Sequence, residues 1–374
     1  MRLFIFSFFI ATWQLSLGNS IAADWPLYRG DDRATGCATE KITLPESLKS
    51  VWEYRPESGW FQASPVIVDS TVYVGSSDDG MLAVNLDDGK LRWKYAVEYG
   101  VLAPAAYHKD AIGNESLFFG DTDGTLHVVD AKDGKLRWKF ATKGPIDNSP
   151  NIDRKTDRVL VGSQDGSLYA LETATGKLVW EYKAEDQIRC FPAIVERRCF
   201  VAGCDSKFHV VDLDKGTVVA KVEILAPTGS TPMVLGDRAF FGTEGNEFLA
   251  LDWKKAEIIW RYEMKQAVRS PAAGKENTVV FCGMDRAVRA LDAETGKERW
   301  TFRTKGRMEN SGPIVVGSRV YVPCSDSFLY VLDLETGKQI QATEMPGKLT
   351  ACPAVVDGRI VLGTDDGVLC CLGE

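Results

Sequence analysis

Histidine is almost missing: His108, His127 and His209 are the only three in 374 residues. That scarcity argues against a metal centre built on several imidazoles. The nine cysteines are an odd number, and their spacing contains no CxxC and no CxxCH. Neither a zinc knuckle nor a covalently held haem is therefore expected. Basic residues are outnumbered, 44 against 52, and are interspersed with acidic ones, giving a formal net charge of −8. No stripe of positive charge is present to neutralise phosphates, so a nucleic-acid partner is not expected. Beyond the N-terminus no apolar run approaches the ~18 residues that read as a membrane-spanning helix. Nor does any window keep a helical period.

The first 23 residues differ in character: "MRLFIFSFFIATWQLSLGNSIAA" carries an early arginine, an apolar run and small residues at Ser20, Ala22 and Ala23. This reads as a secretory signal cut after Ala22 or Ala23. Cys37, the first cysteine, lies well beyond the apolar run, so no lipid-attachment cysteine is expected at the cut. The organisation expected is a signal peptide over 1–23, a leader over 24–47 and a repeat domain over 48–374, exported, without a membrane anchor and monomeric.

What the chain has is repetition. "ALDAETGKERW" (Ala290–Trp300) returns as "ALETATGKLVW" (Ala170–Trp180), "AVNLDDGKLRW" (Ala83–Trp93) and "VVDAKDGKLRW" (Val128–Trp138). Looser copies begin at Val210, Ala250 and Val331. Chemistry needs its groups once, in one geometry, so a segment stated seven times is first of all architecture. Eight prolines pace the copies: Pro65, Pro104, Pro150, Pro192, Pro232, Pro271, Pro313 and Pro353, separated by 39 to 46 residues. After each comes a short apolar run ("PVIV", "PAIV"), then a β-branched and aromatic run ("TVYVGS", "RVLVGS"). An Asp-Gly or Asp-Ser turn, an alternating run and a Gly-Lys turn into a final tryptophan-bearing run complete the unit. These are strand and hairpin signals. Four antiparallel strands in a unit of about 40 residues make a propeller blade.

The proline opens the innermost strand, where no ladder bond is lost. The last strand is the outer edge. Its tryptophan and the aromatic two residues on face inward, while Lys and Arg face out. Trp52, Trp93, Trp138, Trp180, Trp260 and Trp300 occupy this slot; Ala220 and Gln341 replace them in two units. Burying one such indole between blades contributes roughly 4–6 kcal/mol as an upper bound, from about 150–250 Å² at about 25 cal/mol per Å². The eighth unit stops after its third strand, and "KSVWEYRP" before the first proline has the outer-strand pattern. The N-terminal strand should therefore complete the C-terminal blade, closing an all-β ring of eight blades and removing both terminal edges.

The Ala-x-Asp-x-x-Thr-Gly-Lys-x-x-Trp pattern of Ala290–Trp300 resembles the tryptophan-docking repeat of the PQQ-like (pyrroloquinoline-quinone) eight-bladed β-propellers. "DWPLYRGDDRATG" (Asp24–Gly36) is similar to the leader of exported members of that group. The resemblance covers Leu48–Glu374 and implies the fold, but two functions. One is a cofactor-free scaffold of the type of BamB, which works in outer-membrane β-barrel assembly and would bind envelope proteins. The other is a quinone- and calcium-dependent alcohol or sugar dehydrogenase. For the second, the adjacent Cys370 and Cys371 resemble the vicinal disulfide of the alcohol dehydrogenases. On the repeat, however, they fall at two third-strand core slots whose side chains point to opposite faces. The chain also lacks the insertions that wall in the quinone. The scaffold reading, with no cofactor and no metal, is preferred.

Loops on a rigid scaffold are where binding usually sits. One face of the ring should carry the turn aspartates Asp79, Asp123, Asp165, Asp205, Asp285, Asp326 and Asp366, which tight turns alone explain. It should also carry the segments before each proline, which differ from blade to blade. Those place Asp147, Asn148, Arg189, Arg269, Arg307, Glu309 and Asn310 around a channel mouth as the candidate partner-binding residues. Asp147 and Glu309 lie on opposite sides of the ring, too far apart to act as an acid–base pair.

Overall fold

The computed structural model describes residues 24–374; the signal-peptide reading of 1–23 lies outside them. Eight four-stranded antiparallel sheets follow one another around a ring. Blade 1 spans Val66–Tyr95, blade 2 Ala106–Ala141, blade 3 Asn151–Lys183 and blade 4 Ala193–Glu223. Blade 5 spans Met233–Glu263, blade 6 Ala273–Arg303 and blade 7 Ile314–Glu344. Blade 8 takes three strands from Ala354–Gly373 and its outer strand from Lys49–Tyr54, which pairs antiparallel with Leu369–Gly373. The ring is thus closed by joining the two ends of the repeat region, and Trp52 lies opposite Cys371 just as Trp180 lies opposite Ala170.

The indoles are the mortar. Each Nε1–H donates to a backbone carbonyl of the next blade: Trp52 to Leu86 (2.7 Å), Trp93 to Ala131 (3.1 Å), Trp138 to Thr173 (2.9 Å), Trp180 to Leu213 (3.1 Å), Trp260 to Ala293 (3.2 Å) and Trp300 to Leu334 (2.9 Å). A buried indole N–H needs such a partner. The ring face lies on the glycine of the next blade's third-to-fourth-strand turn. These glycines have φ of +67° to +73°, and a Cβ on any of them would stand 2.5–2.8 Å from the indole. The glycine of the repeated eleven-mer therefore serves the turn and the neighbouring blade's tryptophan at once.

Both exceptions have a physical account. Ala220 leaves blade 4 without its indole, and the facing position in blade 5 is Ala256 at φ +58° rather than glycine. With no ring to clash with, a Cβ fits there. Trp253 of blade 5 covers the gap from the other side, packing on Phe200 of blade 4 with centroids 5.2 Å apart. At blade 7 the neighbour is the closure seam, where blade 8 has no third-to-fourth-strand turn to dock on. Gln341 bridges it instead, accepting from Leu48 N and donating to Leu48 O, both at 3.1 Å.

The leader lies inside the ring. An innermost strand is an edge, and its channel-side N–H groups need acceptors. The leader supplies them in blade order. Ile67 N bonds Trp25 O (2.9 Å) and Tyr107 N bonds Pro26 O (2.9 Å). The side chain of Asn151 bonds Asp32 O (2.9 Å). Ile194 N, Val234 N, Gly274 N and Val315 N bond Asp32, Arg33, Thr35 and Gly36 carbonyls at 2.7–2.9 Å, and Gly358 N bonds Thr43 O at 2.8 Å. One short segment so touches all eight blades. Arg29, 1% exposed, pins it by donating Nη2 to the carbonyls of Ala272 (2.8 Å) and Pro313.

Candidate functional site

The links between blades and the second-to-third-strand turns share one face. There the channel widens into a cup of about 660 Å³. The leader contributes to its lining through Tyr28, whose hydroxyl lies 3.6 Å from Cys352 Sγ; with the leader threaded across the ring, Tyr28 makes a floor. Burial is the main cause that pushes the phenol well above its ordinary range, with the neighbouring thiol adding to it, so it is a neutral donor rather than a base at physiological pH. The wall comes from the segments before each proline, small polar groups such as Ser64, Ser149 and Thr231 alternating with Phe191 and the prolines.

Of the candidate mouth residues, Asp147, Asn148, Arg189, Arg269 and Asn310 line the cup, while Arg307 and Glu309 are exposed outside the lining. Both cup arginines are matched by carboxylates. Arg189 bonds Asp147 at 3.1 Å, and Gln164 Nε2 reaches the same oxygen at 2.6 Å. Arg269 holds Glu244 through two nitrogens, at 2.8 and 3.1 Å, and Glu309 adds to the field on Arg269. Glu309 and Asp147 belong to links entering blades 7 and 3, on opposite sides of the eight-blade ring.

Several turn aspartates tie their turn to the preceding link, to the third strand or to both. Asp165 accepts Lys143 N (3.0 Å) and the Tyr169 hydroxyl (2.7 Å); Asp326 accepts Lys305 N (3.0 Å) and the Tyr330 hydroxyl (2.8 Å). His209 bonds Asp205 and Arg289 bonds Asp285 from the same strand position, and Lys94 pairs with Asp79. Burial alone would raise the Asp165 carboxyl, but the hydrogen bonds outweigh it and hold it below its ordinary value. Two expected members differ. In blade 2 the buried, histidine-bonded carboxylate is Asp121, and Asp123 is exposed; in blade 8 Asp365 receives Lys348 N (2.8 Å), and Asp366 is exposed. Each of these blades has two acidic residues at the turn, and sequence spacing does not say which one points inward.

His127 and His209 are equivalent: each bridges a turn aspartate and the outer-strand tyrosine of the preceding blade. The partners are Asp121 (2.8 Å) and Tyr95 (3.3 Å) for one, Asp205 (3.1 Å) and Tyr182 (2.8 Å) for the other. They lock adjacent blades and are not metal ligands to one another. All nine cysteines are free thiols among the described residues. Cys370 and Cys371 are buried in blade 8, away from the cup lining, and burial pushes both thiols up to about 12.

Sequence spacing missed Tyr28, Gln164, Cys204 and Glu244. Tyr28 sits in the leader pattern and so had a signal; Gln164, Cys204 and Glu244 share one slot, the residue before the turn-aspartate position, and its identity changes from blade to blade. Exposed apolar side chains mark the same rim: Trp60 (44% exposed) and Tyr99 (44%) in neighbouring links, and Leu225 (77%) in the link into blade 5.

Fold and cup together define the class: an eight-bladed PQQ-like propeller with an inner strap and a polar, charge-matched mouth. The chain belongs to the family described as outer membrane protein assembly factor BamB, whose model matches residues 12–150, 154–219 and 205–371. BamB of Legionella pneumophila (strain Paris) is 25% identical over 189 residues, 48% of this chain and 49% of that protein. The chain therefore spans about half the length of the BamB relative it matches. Quinohemoprotein alcohol dehydrogenase ADH IIB of Pseudomonas putida is 36% identical over 101 residues, 23% of this chain and 15% of that protein. The crystal structure of BamB from Moraxella catarrhalis superposes with a TM-score of 0.73 at 19% identity, covering 88% of this chain and 98% of that one.

Proposed function

We propose that this is an exported, non-catalytic propeller that binds a cell-envelope protein through its cup face, in the service of outer-membrane protein assembly. The observation that supports it best is the rim. Links that differ from blade to blade carry exposed Trp60, Tyr99 and Leu225 around a mouth whose two arginines are each held by a carboxylate. Aromatic anchors beside a polar, preorganised surface are what protein interfaces use. The turn aspartates hold that surface rigid.

The dehydrogenase relatives suggest pyrroloquinoline quinone with calcium as a second reading. The donor set does not fit it. Calcium takes about six to eight oxygens, and the two cup carboxylates, Asp147 and Glu244, lie in different blades, each bound to its own arginine. No cluster of three metal-ligating side chains occurs among the described residues.

A photo-crosslinking amino acid at position 60, 99 or 225 tests the proposal in cells, with Ile112 as control. Ile112 is 86% exposed in the first-to-second-strand turn of blade 2, on the opposite face. The expected result is one envelope protein captured from the three rim sites and not from Ile112. Dye-linked alcohol or sugar oxidation on adding quinone and Ca²⁺ would overturn it.

A further inference from the structure

Asp147 and Asn148 end the link into blade 3 and stand side by side in the cup wall. Asn148 is 4% exposed. Its Nδ2 donates to Gly162 O at 3.2 Å and Ile188 O at 3.3 Å, which fixes the amide and leaves Oδ1 buried with no donor. Asp147 repeats the pattern: Oδ2 receives Gln164 and Arg189, while Oδ1 is buried and receives nothing. Two adjacent acceptors without donors, one of them a carboxyl oxygen, are a defect that native structures rarely keep without a reason.

Asp147 presents a carboxylate oxygen on this wall, and Arg189 reaches only its other oxygen. A carboxylate oxygen is best met by a donor carrying positive charge. An ammonium offers three N–H groups and no acceptor, and a guanidinium five, which complements two acceptor-only oxygens. A calcium ion would find only two free ligands here, about a third of what it takes.

We infer that Asp147 and Asn148 form a subsite for a primary ammonium or guanidinium, presented by a Lys or Arg side chain of the partner protein and inserted into the cup. This rests on the protein-docking reading above and names the contact at its centre.

The test uses the full mature chain. Binding of a pentapeptide with a central lysine, its acetyl-lysine counterpart, ethylammonium and agmatine is followed by NMR shift titration. The lysine peptide should bind at least tenfold more tightly than the acetylated one. Asp147→Asn, which keeps the shape, and Asn148→Leu should each weaken it at least tenfold. Asp366→Asn, a turn residue outside the cup, should leave it unchanged. If Asn148→Leu fails to fold, Asp147→Asn decides alone. No cation binding, binding undiminished by Asp147→Asn, or displacement by Ca²⁺ would overturn the subsite. Free amines that bind while the peptide is excluded would overturn the side-chain source. Rim cross-links that persist without lysine-peptide binding reject this subsite but keep the docking reading; loss of both rejects both.

Discussion

Alanine at Gly337 isolates the contact that holds the ring together. Gly337 sits at φ +68°, and a Cβ there would lie 2.5 Å from Cδ2 of Trp300. Two costs follow. A left-handed alanine costs about 1–2 kcal/mol on its own. Pushing the indole, 7% exposed and bonded to Leu334 O, out of place adds about 1–3 kcal/mol of overpacking. Trp300→Ala should cost about 3–5 kcal/mol by removing the whole docked side chain. In that truncated background the steric term disappears, so adding Gly337→Ala should cost only the conformational ~1–2 kcal/mol. The two changes should therefore be coupled by about 1–3 kcal/mol. Ala256 facing Ala220 is the natural version of the double change. Urea denaturation followed by far-ultraviolet circular dichroism is the assay, since tryptophan emission changes with the mutation. Strict additivity of the two substitutions would refute the claim that glycine is needed for the indole.

Gln341→Ala should lower stability by about 1–3 kcal/mol, because Leu48 loses both a donor and an acceptor at the closure seam; an unchanged urea midpoint would show that the seam holds without it. Burial holds His209 below its ordinary value of 6.5, with the Asp205 bond opposing, and His108 is lowered for the same first reason. The unfolded chain then binds more protons between the depressed values and 6.5, so their contribution is full above pH about 6.5 and is lost as pH falls through the folded values. Thermal midpoints should drop between pH 7 and pH 5, and His209→Gln should flatten that slope. Buried cysteines with raised thiols should resist labelling: a thiol reagent at pH 8 should reach no more than the partly exposed Cys37 and Cys204 in the native protein, and all nine in denaturant. Native labelling of Cys370 or Cys371 would contradict their placement in blade 8.

Much of this fold is readable because it is written eight times. Proline spacing and the period-2 runs agree with one another in every unit, and the Gly-Lys turn joins them in most. The missing fourth strand of the last unit and the spare strand before the first imply closure, as the pairing of Trp52 with Cys371 shows. The site was legible only in part. Asp147, Asn148, Arg189, Arg269 and Asn310 stood out because their links depart from the repeat, and they line the cup. Arg307 and Glu309 depart equally but lie outside the cup lining, and nothing local distinguishes the two sets. Asp121 and Asp365 were passed over for Asp123 and Asp366 because the choice within an acidic pair is made by what faces the turn, His127 in one case and the Lys348 amide in the other.

Local pattern by itself determined the strands, their count, their order in each blade and the tryptophan slot, since these depend on neighbours a few residues away. Only the assembled ring decided that the leader threads the channel, that Trp253 and Gln341 stand in for the two lost indoles, and that Tyr28 floors a cup whose arginines meet their carboxylates. Each of those pairs residues tens to hundreds of positions apart, brought together by closure of the circle, and repeat spacing carries no information about what the centre of that circle holds.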